Sequence, residues 1–154
     1  MDGLLAGLEA TALAEHLRAS RWSYAAVNTT HLLGISLLIG AILPLELRLL
    51  GLWRSIATEA LARVLVPVAA TGLALAIGAG MLLFSVRARE YAALGVFQVK
   101  LALVTLGVAV AIAVQLARGW QLDRCGRGTA IALFSLACWL GALVCGRSIA
   151  FVAE

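Results

Sequence analysis

The stretch from Tyr24 to Leu43 reads YAAVNTTHLLGISLLIGAIL, and it decides the class of this chain. It holds no acidic or basic residue; Asn28, Thr29, Thr30, His31 and Ser36 are its polar insertions. A bilayer's hydrocarbon core takes about 20 mainly apolar helical residues to cross, and this stretch is that long. Three more follow, at about Val64–Val86, Val96–Ala117 and Thr129–Val152. The second is uncharged, the third contains Lys100 and the fourth Arg147. In lipid a helix closes every backbone hydrogen bond within its own segment, so four such spans predict a helical bundle. Pro44 is expected to end the first span, and Pro67 to sit in the first turn of the second.

Composition agrees. The chain has 154 residues, 63% of them hydrophobic and 13% charged, with a mean hydropathy of +1.02. Soluble domains run at about 45–50% apolar and about 25% charged, so a soluble globular enzyme is excluded, as is a disordered chain. The expected fold is a single all-α domain over residues 1–154, an integral membrane four-helix bundle. A short, weakly amphipathic helix at about 3–20 is expected to lie along the membrane surface ahead of it. That segment is a poor signal peptide, because Asp2 stands where a basic region belongs and Glu9 interrupts the apolar run.

The net charge is +4. Its arginines lie mostly in the gaps between apolar runs, where a membrane protein carries orienting charge, and no basic patch is interleaved with aromatics. Nucleic acid is therefore not an expected partner; membrane lipids are. Helix direction alternates, so the N-terminus, the second interhelix loop and the C-terminus share one side, and the first and third loops share the other. The first side carries Arg18, Arg21, Arg87 and Arg89; the second carries Arg48, Arg54, Arg63, Arg118, Arg124 and Arg127. The positive-inside rule puts the second side in the cytoplasm and both termini outside.

Small residues recur every fourth position: Gly72, Ala76 and Gly80; Gly107 and Ala111; Ala137, Gly141 and Cys145. Such stripes let helix backbones approach closely, or form a smooth wall for a flat ligand. The three cysteines make no CxxC, and Cys125, among cationic neighbours, has no histidine base nearby in sequence. Arg48, in Leu45-Glu46-Leu47-Arg48-Leu49-Leu50-Gly51, is expected to face lipid phosphates from the end of the first span. Metalloprotease, phosphate-loop and nucleophile-elbow motifs are absent from the sequence, and no catalytic residue is assigned.

Charged groups at bilayer depth are costly and each wants a reason. His31 lies about two turns into the first span from the terminal side, with Asn28 on its face three positions earlier. Lys100, with Gln98 nearby, lies about one turn into the third span from that side. Arg147 lies about one turn before the fourth span ends there. Three helices thus place polar groups at similar depth in one leaflet. Neutral imidazole suits haem iron, and cations suit haem propionates. A b-type haem with its iron on His31 and its propionates toward Lys100 and Arg147 uses all three, so His31 is the candidate metal ligand. Lys100, Arg147, Asn28 and Gln98 are the remaining candidate cofactor-binding residues. A second axial ligand is not evident: His16 is in the surface segment and Met81 reads as a core residue. The haem is then five-coordinate, uses Lys100, or takes a ligand from a second subunit. The same residues suit a quinone or an anionic small molecule, and a non-catalytic subunit whose Lys100 and Arg147 only anchor to lipid phosphates is the contrasting reading.

His31-Leu32-Leu33-Gly34, Gly40 and Leu45–Gly51, with Phe97-Gln98-Val99-Lys100-Leu101 and Gly146-Arg147-Ser148-Ile149-Ala150, resemble a group of bacterial four-span membrane proteins. That group is distantly similar to the CopD copper-resistance domain and to HemJ-type protoporphyrinogen oxidase. The resemblance implies a bacterial inner (cytoplasmic) membrane location, b-type haem or porphyrin binding, and an electron-transfer or porphyrin-oxidation role; with a second subunit as one source of the missing ligand, a homo-oligomer or larger membrane complex is among the expected partners. It matches His31 and Lys100 to the functional histidine and lysine of HemJ-like proteins. The chain departs from the group's pattern at Glu46, where Asp is frequent, and at Gln115, where many members have histidine.

Overall fold

The computed structural model describes residues 2–116 and 127–152. All of its regular structure is helical: α1 (Asp2–Glu9), α2 (Ala12–Ala19), α3 (Arg21–Leu49), α4 (Thr58–Val86), α5 (Ala88–Ala93), α6 (Gly95–Leu116) and α7 (Arg127–Val152). Four of these, α3, α4, α6 and α7, are long and apolar enough to cross a membrane, as the sequence predicts. The chain is thus an all-α bundle of multi-pass membrane type. The readings of Arg118, Arg124 and Cys125 lie outside the described residues.

Two elements differ from expectation. Pro44 does not end the first long helix, which runs on to Leu49. A proline inside a helix removes one backbone bond, here the one to the Gly40 carbonyl, without forcing a stop. Pro67 likewise lies ten positions into α4, because that helix begins at Thr58. The N-terminal surface segment is two helices rather than one. Thr11 breaks it, its hydroxyl accepting from the Ala14 amide at 3.3 Å and so capping α2, while Ser20 caps α3 in the same way through Ser23.

The bundle is two hairpins, α3 with α4 and α6 with α7, joined along α3 and α7. In the first hairpin glycine sits on glycine. A Cβ added to Gly34 would lie 2.5 Å from the Ala76 amide nitrogen, and one on Gly72 would lie 2.6 Å from the Leu38 nitrogen and 2.7 Å from the Gly34 oxygen. The α3 and α4 backbones therefore touch, the close approach that small residues permit in lipid. The second hairpin packs differently, with the buried Trp139 ring laid on Gly107 and Leu103 over Gly141. The small-residue stripes are thus chiefly packing surfaces. At the terminal end, Phe84 of α4 stacks on Phe97 of α6 at 5.3 Å, with Tyr91 of α5 alongside.

The N-terminal helices dock on this end. The Glu9 carboxylate accepts from the Arg89 amide and from the Arg89 guanidinium, each at 2.9 Å, and Arg18 donates to the Val86 and Glu9 carbonyls. The Arg89 amide, aided by its guanidinium, holds the Glu9 carboxyl below its ordinary value of 4.5. A carboxyl depressed by folding contributes stability above its unfolded value, and that contribution disappears as pH falls through the lower, folded value. Acidification below 4.5 should therefore release α1, seen as faster amide exchange over Asp2–Glu9, and Glu9→Gln should weaken the docking already at neutral pH. Exchange over α1 that is insensitive to both changes would show that the ion pair does not hold it.

Candidate functional site

His31 sits on α3 at the level of Ala76 and Gly80 of α4. Its Nδ1 lies 2.8 Å from the Ala76 carbonyl oxygen. A carbonyl only accepts, so in the neutral ring the proton is on Nδ1 and the lone pair is on Nε2. Gly80 makes room for the ring: a Cβ there would lie 3.0 Å from His31 Cε1 and 3.3 Å from Nδ1. The α4 stripe thus does two jobs. Gly72 brings the helices together, and one turn beyond Ala76 the missing side chain of Gly80 accommodates imidazole.

Lys100 reaches the same region from α6. It is half-buried, its stem lies over Gly146 of α7 with Nζ 3.5 Å from where a Cβ would be, and its ammonium is within electrostatic reach of the His31 ring. α4 therefore orients the His31 ring, while Lys100 of α6 lies along the bare backbone of α7 at Gly146.

The other sequence-predicted groups are placed differently. Arg147 is exposed, its guanidinium 5.0 Å above the Phe151 ring one turn along α7. Gln98 is exposed and donates to the Ala92 carbonyl at 3.1 Å, tying the start of α6 to α5. Asn28 shares the helical face of His31 but is exposed, and the imidazole is oriented by Ala76 rather than by Asn28. Met81 is 63% exposed on the outer face of α4, so the reading of it as a core residue is corrected. His16 lies at the surface and bonds to the Ser23 hydroxyl at 3.0 Å. Among the described residues, no three or more His, Cys, Asp or Glu side chains gather as a metal-binding group.

Sequence reasoning missed what happens at the opposite end. Glu46 and Arg48 are each only 8% exposed. Arg48 does not face phosphates: it turns inward and its Nε donates to the Ile56 carbonyl at 2.6 Å, holding the α3–α4 loop. Their spacing gave no such signal: two positions apart they lie on different faces of a helix, and both are buried only because α7 covers one side and the α3–α4 loop the other.

No family model, curated protein or solved structure matches this chain.

Proposed function

We propose that the protein binds b-type haem or a related porphyrin between its helices, with His31 as axial ligand, in an electron-transfer or porphyrin-oxidation role. The observation that carries the reading is the 2.8 Å contact of His31 Nδ1 with the Ala76 oxygen. A metal-bound histidine commonly donates its other ring nitrogen to a carbonyl or carboxylate, which fixes both tautomer and orientation. This imidazole meets that condition from within the fold, and Nε2 keeps the lone pair an iron needs. Lys100 is the cation best placed for a propionate; Arg147 would have to leave Phe151 to serve as a second. A haem supplies one-electron exchange when bound. The chain's own residues orient the ligand and place a counter-charge. The donor set fits one axial ligand, so the reading is of a five-coordinate haem or of one completed by another subunit. The sequence resemblance supports a bacterial inner-membrane location, and the arginine distribution favours both termini on the outer side.

The same tautomer bears on quinones. Nε2 can accept from a quinol hydroxyl but has no proton to give an oxidised quinone carbonyl, which favours the porphyrin reading unless the quinol is the bound form.

An absorption spectrum tests this. Protein purified in detergent from haem-replete cells is expected to show a Soret band, with α and β bands on dithionite reduction, and His31→Ala to lose them. Lys100→Ala is expected to insert normally, since removing an intramembrane charge eases insertion, and to retain less haem. Colourless wild-type protein that also fails to bind added haem would sink the proposal; co-purifying quinol would favour the second reading.

A further inference from the structure

Glu46 is about 22 Å along α3 from His31, at fifteen residues of 1.5 Å rise, and so belongs to the opposite leaflet. It is packed against α7, where the Ser135 hydroxyl, itself buried, donates to the carboxyl. The other oxygen, Oε2, is fully buried without a hydrogen-bond partner. A buried charge is tolerated when it is paired and hydrogen-bonded, and a bare carboxylate oxygen meets neither condition. The neighbouring ionisable groups do not change this. Arg48 on the same helix is directed to the Ile56 carbonyl. Glu59 and Arg63 at the start of α4 are exposed and pair with each other at 3.6 Å. On α7, Cys138 is the buried titratable neighbour one turn from Ser135. Glu46 lies three residues before the end of α3 at Leu49, next to the α3–α4 loop.

We propose that Glu46 is an intramembrane proton-binding site, loaded and emptied through the α3–α4 loop end of the bundle. In loading, an O–H bond forms on Oε2 with a proton from bulk water and the carboxylate charge is lost; in emptying, that bond breaks and the proton returns to the same aqueous side. Ser135 holds the first oxygen in both states. The inference is independent of what His31 binds.

Carbodiimide labelling tests it. Dicyclohexylcarbodiimide partitions into apolar surroundings and adds to protonated carboxyls. Full-length protein in liposomes is expected to take up one adduct that peptide mass spectrometry maps to Glu46. Its yield is expected to fall as pH rises, by about tenfold per unit once the group titrates. Infrared spectra of the same protein are expected to carry a carboxylic-acid carbonyl band that Glu46→Gln removes. Labelling and mapping need wild-type protein only, so they decide even if the variant misfolds. No adduct at Glu46 at any pH, or a yield independent of pH, overturns the proposal: the first means a carboxylate that never loads, the second an acid that never empties.

Discussion

Gly34→Val is expected to melt far below the wild type, whereas Gly40→Val on the same helix melts close to it. A Cβ on Gly34 would meet the Ala76 nitrogen at 2.5 Å, the Gly72 oxygen at 2.8 Å and the Ala76 Cα at 3.0 Å. All three are backbone atoms, so nothing can rotate aside and α3 must lift off α4. Overpacking a tight core typically costs about 1–3 kcal/mol. This position should reach the upper end or beyond, because two rigid helices must part along their whole contact. Gly40 and Gly78 provide matched controls, since a Cβ on either meets nothing within 4 Å. The comparison is a thermal melt in detergent, followed by the fluorescence of the buried Trp139 and by the yield of monodisperse protein. Equal melting of Gly34→Val and Gly40→Val would contradict the backbone contact on which the first hairpin rests.

Gly80→Val is expected to cripple the site while sparing the fold. The new side chain would press on the edge of the His31 ring, 3.0 Å from Cε1, and drive it off the Ala76 carbonyl. Disturbing such an orienting contact typically costs 10–100-fold in metal affinity. On the proposed haem reading the variant should bind haem about 10–100-fold more weakly in a Soret titration and melt close to wild type. Nitrogen NMR of the ring provides a check that needs no cofactor: the single Nδ1–H tautomer of the wild type should give way to a mixture. If the variant keeps both tautomer and affinity, the Ala76 contact is not what orients the imidazole.

Much of the fold was legible because hydropathy counts residues, and counting fixes length. The four long helices and the height of His31 and Lys100 along their spans follow from arithmetic along the chain. Rotation about a helix axis does not. Helices that are apolar nearly all round carry little periodicity to say which face meets a neighbour. That is why Lys100 could be placed beside His31 in depth, yet the turn of Arg147 onto Phe151 and the inward turn of Glu46 and Arg48 could not be read. The break at Thr11 was hidden for another reason: a single hydroxyl competing for a backbone amide is a local choice that an averaged hydropathy does not register.

The joined edge of the two hairpins runs along α3 and α7, while α4 and α6 meet in an aromatic stack at one end. The bundle is like a book whose spine is α3–α7 and whose fore-edge faces the acyl chains. A greasy guest approaching by that edge would come sideways from the bilayer, so its occupancy would follow its partitioning into lipid rather than its concentration in water. Measured affinities for such compounds should then scale with the lipid-to-protein ratio, and a titration reported per volume of buffer would misstate them.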